Sequence, residues 1–307
     1  MLQTLKALAD PTRLRLLGIL AHGEFTVQEL TTILAMGQSR ISRHLRILID
    51  AGVASVKRQG TWGYYRLDRG NRLFDELWRN LEPQLDDLAD WQIDRRNLMS
   101  ALEERRGRSQ RFFEQHATQW DQLVRELLPV ADYRSQLLQQ VPHCQVLLEV
   151  GGGTGVMLPA LADRASRVLA VDHSPAMLAE AKQRAEQKGL SQVEFRLGEM
   201  SHLPLCNAEV NWAVLDMVLH HAAQPALVLR ELARVLDPHG GGTIADLQRH
   251  DQEWVRSGLA DQWLGFDIAE LEDWFFGAGF GKPVFNFVSA PGQEQDVVLC
   301  SARKRAG

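Results

Sequence analysis

Apolar residues first recur at helical spacing. Leu14, Leu17 and Leu20 follow Asp10-Pro11, an N-cap followed by proline at the first helical position, and Gly23 closes the segment. Thr26 and Glu29 form a capping box ahead of Leu30, Ile33 and Leu34. Gly37 marks a turn, and Ser39 is placed to cap a third helix whose apolar face is Ile41, Leu45 and Leu48. Ser39, Ser42, Arg43 and Arg46 share another face of that helix, flanked by Gln38, Arg40 and His44, and Gly52 ends it. The period then changes. Val53–Lys57 and Tyr64–Leu67 alternate as two short strands joined across Gln59–Gly63. Helix, turn, polar helix and hairpin follow in the order of a winged helix-turn-helix.

A long amphipathic stretch comes next. Leu73, Leu77 and Leu81 recur every four residues, Pro83 breaks or restarts the helix, and Leu85, Leu88, Trp91, Leu98 and Leu102 continue it. Such a face needs a partner surface, either a second copy of the chain or the chain's own second domain. Glu103–Arg111 is the most polar segment and contains Gly107, so the hinge is expected there. The predicted boundaries are 1–70 for the head, 71–106 for a helical linker and 107–307 for a larger domain.

The larger domain reads as α/β. Gln145–Val150 is an apolar strand, followed at once by Gly151-Gly152-Gly153-Thr154-Gly155 and by a helix from about Met157. Arg167–Val171 is a second strand, ending at Asp172. A strand, a glycine turn, a helix and a strand ending in an acid form the nucleotide half of a doubly wound sheet. Glycines let the backbone approach a ligand, and the carboxylate takes ribose hydroxyls. The run Glu149-x-Gly151-x-Gly153-x-Gly155 differs in spacing from the G-x-G-x-x-G dinucleotide fingerprint, which sets aside a dinucleotide-dependent oxidoreductase. Val284–Val288 and Val297–Ala302 read as a closing hairpin around Pro291-Gly292.

Composition adjusts this picture in three ways. The chain has 307 residues, enough for two domains, and its 45% hydrophobic and 24% charged content is that of a globular protein. No apolar run reaches the ~20 residues of a membrane span, and the first residues lack the pattern of a secretory leader. Three widely spaced cysteines, Cys144, Cys206 and Cys300, point to a reducing cytoplasm, not a disulfide framework. The net charge of −5 hides an asymmetry, because residues 1–70 hold ten Lys/Arg against five Asp/Glu. A basic head on an acidic body suggests a polyanion partner for the head, or simply a solvated basic face.

Two resemblances sharpen the reading. LKALADPTRLRLLGIL, QELTTILAMGQSRISRHLRILIDAGV and KRQGTWGYYRL resemble the ArsR-type bacterial repressors over about residues 1–68. The resemblance implies double-stranded operator DNA as partner, a homodimer formed by the terminal helices, and a recognition helix carrying Gln38, Ser39, Arg40, Ser42, Arg43, His44 and Arg46, with Arg58 on the wing reaching the neighbouring backbone. Many members sense metals through cysteines in this region. Residues 1–143 contain none, so no metal ligand is assigned and the signal is expected elsewhere.

The glycine run, VDHSPAMLAEAK, VEFRLGEMSHLPL, AVLDMVLHH and ELARVLDPHGGGTIAD resemble class I S-adenosylmethionine (SAM) methyltransferases of the small-molecule branch. The fold implied is α/β, a winged helix-turn-helix domain joined to a Rossmann-like methyltransferase domain with a mixed seven-stranded sheet and helices on both faces. SAM or S-adenosylhomocysteine (SAH) is the implied cofactor. By that resemblance Glu149, Gly151, Gly153 and Gly155 hold the methionine moiety and Asp172 the ribose. Met177 and His173 flank the adenine, Glu199 and Met200 sit at its amino group, and Asp216 lines the methyl end. Trp120 and Asp121 close over the cofactor. Val210-Asn211 replaces the family's frequent Phe-Asp, and Glu199 its more common Asp.

Methyl transfer needs alignment and excluded water more than a strong base, so catalytic residues are harder to assign. His220, His221, His250 and Asp246 are the general-base candidates; packed or capping histidines are the alternative. Trp254, Trp263, Phe266 and Trp274 line an apolar acceptor pocket or belong to the core. Asp216-Met217-Val218-Leu219 lacks the Pro-Pro-aromatic pattern of adenine DNA methyltransferases, and no cysteine follows a proline as in cytosine-C5 enzymes. Three distant cysteines do not form the thiol set of arsenite methylation. Two readings follow: a DNA-binding regulator whose methyltransferase domain senses SAM, SAH or a small methyl acceptor, and an active small-molecule methyltransferase whose DNA-binding head serves autoregulation.

Overall fold

A computed structural model describes residues 1–68, 70–127, 132–289 and 296–305. The chain divides into two compact units, Met1–Arg105 and Arg106–Gly307. The expected turn at Pro291-Gly292 lies outside the described residues. Among the described residues no helix is long and apolar enough to cross a membrane.

The first unit opens with α1 (Leu2–Leu8) and α2 (Pro11–Leu20), the latter capped by Asp10, whose carboxylate accepts from the Arg13 N–H at 3.0 Å. A two-residue strand, β1 (Phe25–Thr26), leads into α3 (Val27–Leu34), where the Thr26–Glu29 capping box is formed in both directions. The third helix, α4 (Gln38–Asp50), starts two residues earlier than a cap at Ser39 would place it. Gly37 is its N-cap and no side chain caps it, so Ser39 lies inside the first turn as an exposed residue. Helix α4 ends before Gly52, which takes a left-handed φ of 62°. The hairpin strands are longer than the alternation suggested, β2 (Ala54–Gln59) and β3 (Trp62–Leu67), and the turn shrinks to Gly60-Thr61. Gly60 has φ 55°, the twist that a two-residue hairpin turn requires. Strand β1 adds to the far edge of β3, giving the order β1-β3-β2.

The amphipathic stretch is spent within this unit. Helix α5 (Arg72–Leu81), a 3₁₀ segment Glu82–Asp87 with Pro83 in its first turn, and the first part of α6 (Trp91–His116) bury Phe74, Trp78, Leu85, Trp91, Leu98 and Leu102 in the core formed by α2, α3 and α4. Arg15 fastens the packing with a paired contact to the buried Asp94, Nη2 to Oδ1 at 2.7 Å. The polar segment Glu103–Arg111, expected as a hinge, is helical throughout. Its Glu, Arg, Gln and Ser content supports a helix, and the single Gly107 costs only about 1 kcal/mol.

The second unit begins with the end of α6, then α7 (Trp120–Leu127) and α8 (Arg134–Gln139). Seven strands follow: β4 (Cys144–Val150), β5 (Ala165–Asp172), β6 (Val193–Leu197), β7 (Val210–Asp216), β8 (Leu236–Leu247), β9 (Val284–Val288) and β10 (Val297–Arg303). Their order is β6-β5-β4-β7-β8-β10-β9. The first five run parallel and β10 is antiparallel to both neighbours. Helices α9 (Leu158–Ala162), α10 (Pro175–Gln187), α11 (Pro225–Val235), α12 (Trp254–Gly258) and α13 (Ile268–Gly277) fill the connections. Successive residues of β4, from Leu147 to Val150, are all buried, so both faces of the strand are covered, as a central parallel strand demands. Asn211 has a structural task in β7. Its Oδ1 accepts from the Val146 N–H at 2.8 Å and its Nδ2 donates to Asp237 at 2.5 Å, tying β4 to β7.

Gly18 is the tightest point of the first unit. A Cβ there would lie 2.4 Å from Trp91 Cη2 and 2.7 Å from Leu85 Cδ1. Helix propensity alone favours Gly18→Ala by about 1 kcal/mol, whereas overpacking costs about 1–3 kcal/mol. Urea unfolding should show Gly18→Ala as a net loss of stability; a gain would mean that Trp91 does not occupy this notch.

Candidate functional site

Strand order reverses at β4, with β5 on one side and β7 on the other, and a crevice opens beyond the carboxyl ends of these strands. A cavity of about 690 Å³ occupies it. Glu149, Gly151, Gly153, Asp172, His173, Met177, Asp216, Trp120, Asp121, His220 and His221 all line this cavity. Gly155, Glu199, Met200, His250 and Asp246 stand outside its lining.

The glycine turn has a geometric reason at each step. Gly151, Gly153 and Gly155 have φ of 65°, 52° and 75°, values that a side chain resists. At Gly151 a Cβ would lie 2.2 Å from Val218 Cγ2, so the turn must pass close to the segment after β7. A Cβ at Gly153 meets nothing within 4 Å, which leaves its conformation as the constraint and its face open. Gly155 serves packing instead of the cavity, since a Cβ there would lie 2.6 Å from Leu158 Cδ1 and 3.1 Å from Ala181 Cβ. Asp172 braces the turn. Its two oxygens accept from the N–H groups of Gly153 and Ser174, both at 2.9 Å.

Glu149 is 2% exposed, and its Oε2 has no hydrogen-bond partner among the described residues. Burial pushes its carboxyl up to about 8, with Asp216 and Asp172 adding to the shift and Arg134 opposing it. An orphaned acid in a cavity wall is matched by a cationic ligand group. Asp216 accepts from the Tyr133 hydroxyl at 2.5 Å and from Arg134 Nε at 3.0 Å. Asp121 accepts from Thr154 Oγ1 and Arg184 Nη2, each at 2.5 Å. Burial works against the Asp121 charge, but these hydrogen bonds hold its carboxyl below the ordinary value. Phe113 meets Trp120 edge-on at 5.0 Å, and His173 and His221 at 5.9 and 4.9 Å. Tyr133, Arg134, Arg184 and Phe113 carried no signal in the sequence, because each acts through a contact distant in the chain.

The histidine candidates separate. His220 and His221 lie in the 3₁₀ turn Leu219–His221 after β7. His220 Nδ1 is 2.8 Å from Asp246 Oδ1, so Asp246 stands behind the histidine and orients it. Burial opposes a charge on His220, but Asp246 and Asp261 outweigh it and raise the imidazole to about 9. His221 is kept well below its ordinary value by burial and by His220. His250 lies away from the cavity, lowered to about 4 by burial and by His220. Trp263 and Phe266 are core residues, Trp274 packs edge-on against Phe266 and Trp254 is exposed, so none of the four lines the cavity. Glu199 is half-buried and its backbone pairs with that of His202, and Met200 is buried.

The donor set fits an S-adenosyl cofactor. Glu149 would meet its ammonium end, the Gly151–Gly153 backbone would pass along its methionine moiety, and Asp172 keeps lone pairs for ribose hydroxyls. Met177 and His173 line the cavity wall beside Asp172.

In the first unit Gln38, Ser39, Arg40, Ser42, Arg43 and Arg46 are exposed on α4, and Arg58 is exposed on β2. His44 departs from this group. It is half-buried with Nδ1 3.8 Å from Asp10 Oδ1, and burial lowers its pKa. A neutral histidine turned towards the cap of α2 is not part of the exposed face.

Comparison with known proteins agrees with both units. Residues 10–56 match the family model described as bacterial regulatory protein, arsR family, and residues 148–243 match a methyltransferase domain. The arsenical resistance operon repressor of Escherichia coli is 39% identical over 84 residues, covering 25% of this chain and 72% of the repressor. The arsenite methyltransferase of Halobacterium salinarum is 31% identical over 106 residues, covering 34% of this chain and only 27% of that enzyme. A chain of the solved complex between the Haloferax volcanii Trm112 methyltransferase activator and a methyltransferase superposes with a TM-score of 0.53 at 19% identity, covering 63% of this chain and 97% of its own, which shows a shared fold. The basic helix α4 and the glycine-walled crevice thus lie in one polypeptide: the chain belongs to the bacterial ArsR family and carries, beyond its winged-helix head, a methyltransferase domain.

Proposed function

We propose that the chain is a DNA-binding transcriptional regulator whose methyltransferase domain responds to SAM, SAH or a small methyl acceptor. One observation carries the reading: a single chain holds both an exposed basic helix and a cavity whose orphaned carboxylate and glycine turn suit an S-adenosyl cofactor. Arg40, Arg43 and Arg46 reach phosphates or guanine edges in the major groove, and Arg58 on the hairpin reaches the adjacent backbone. The regulator acts as a homodimer on a two-fold operator. Leu2, Leu5, Ile93 and Met99, exposed apolar residues of the first unit, support a partner surface there.

The second reading is an active small-molecule methyltransferase whose head serves autoregulation. The extent of the cavity favours it, because the wall continues past the cofactor residues to His220, His221, Leu259 and Asp261 and leaves room for an acceptor. When bound, SAM supplies an electrophilic methyl group. Phe113 and Trp120 exclude water from the transfer, and Asp216, fixed by hydrogen bonds from Tyr133 and Arg134, lines the methyl end.

Binding of the full chain to its own upstream DNA, at fixed salt and with either nucleoside at saturation, tests the sensing role. A shift in affinity equals the coupling between the sites, and an affinity that neither SAM nor SAH changes overturns it. Arg43→Ala should weaken DNA binding and lower the slope of log affinity against log salt by about one if it meets a phosphate. An unchanged slope with altered sequence preference would instead assign Arg43 to a base edge.

Glu149 predicts a pH dependence. The ligand-free folded domain keeps its proton up to about pH 8. An unfolded chain loses it near the ordinary carboxyl value, so this group's contribution to stability falls as pH rises between the two. A cationic ligand favours the ionised form, so SAM affinity should climb by up to about tenfold per unit from about pH 6 and level off near pH 8. Calorimetry with Glu149→Gln should give weaker and nearly pH-independent binding; a pH slope that survives in this variant would assign the linkage to another group.

A further inference from the structure

We propose that His220, His221 and Asp261 form a binding site for one divalent transition-metal ion in the wall of the cavity. All three are buried and all three line the cavity. Their donor atoms lie within 4.8 Å of one another. Asp261 Oδ1 is 3.7 Å from both His220 Nε2 and His221 Nδ1, beyond hydrogen-bond distance. Donors about 2.0–2.1 Å from a tetrahedral ion are separated by roughly 3.3–3.5 Å, so the two contacts of Asp261 need a shift of only a few tenths of an ångström, while His221 Nδ1 would exchange the Ala260 carbonyl, 3.4 Å away, for the ion.

Two further observations point to a ligand. Neither oxygen of Asp261 has a hydrogen-bond partner among the described residues, although the side chain is buried. A buried carboxylate in that state is costly unless a cation meets it. His220 Nδ1 donates to Asp246 at 2.8 Å, which directs Nε2 towards Asp261, where an ion would take the place of its proton. A carboxylate holding the far nitrogen of a histidine is the arrangement that orients metal-bound imidazoles. Ala260, immediately before Asp261, takes a left-handed φ of 60°, a conformation that a non-glycine residue adopts at some cost.

Two imidazoles and one carboxylate select a borderline ion of the zinc or ferrous class over magnesium or calcium, and three protein ligands leave at least one open position. That position faces the cavity. On the methyltransferase reading above, it would take an oxygen donor of the acceptor, which makes hydroxyl or enol acceptors the favoured class. The metal site itself does not rest on that reading.

Full-length protein freed of metal by a chelator, then titrated with cobalt(II), tests the site without any nucleoside. One equivalent should produce the visible bands of a low-coordinate cobalt centre, and zinc should abolish them. Asp261→Asn and His221→Gln should each weaken cobalt binding at least tenfold, and Asp246→Asn about 10–100-fold. His239→Ala, an exposed histidine, should leave the titration unchanged. SAH binding measured on the same variants reports separately whether the cofactor half is intact. No cobalt centre at stoichiometric protein, or one that persists in folded Asp261→Asn or His221→Gln, overturns the proposal and leaves His220 as a protonated imidazole between two carboxylates.

Discussion

Everything in the second unit depends on the reversal of strand order at β4. A parallel strand with neighbours wound in opposite directions leaves its carboxyl end uncovered, and the chain must turn sharply there. The turn is possible only because Gly151 and Gly153 accept left-handed backbone and because Gly151 has no side chain to meet Val218. The same reversal brings the ends of β5, β7 and β8 to one rim, so Asp172, Asp216 and the 3₁₀ turn with His220 and His221 face a common space. Residues far apart in the chain become neighbours through sheet topology alone.

The periodicity of short elements was legible where local chemistry decided it. Asp10-Pro11, the Thr26–Glu29 box and the strand–glycine–helix–strand–acid run are complete within a few residues, and the structure forms each of them. The sequence was weaker where a choice depended on distant partners. Gly37, not Ser39, starts α4, and the hairpin closes on two residues instead of five. The apolar stripe from Leu73 to Leu102 announced a partner surface but not which one, since periodicity carries no address. The core of the first unit takes much of it.

The site divides along the same line. Glu149, Gly151, Gly153 and Asp172 could be placed together in the sequence because they sit on two neighbouring strand ends and one turn, and all four line the cavity. Tyr133 and Arg134 on Asp216, Arg184 and Thr154 on Asp121, and Asp246 behind His220 could not, because each contact crosses tens of residues. Gly155 shows the opposite case: a motif position can be filled while its backbone serves packing instead of the cavity. His44 is similar, placed on the recognition helix by spacing yet turned towards Asp10 by the packing of α4 on α2.

Asp172 has a kinetic consequence. With its two oxygens on the N–H groups of Gly153 and Ser174, it holds the loop in its final shape before any ligand arrives. The ordering entropy of that loop is therefore lost when the chain folds and not when a ligand is captured. Association at this end of the cavity should resemble simple encounter, without a slow conformational step.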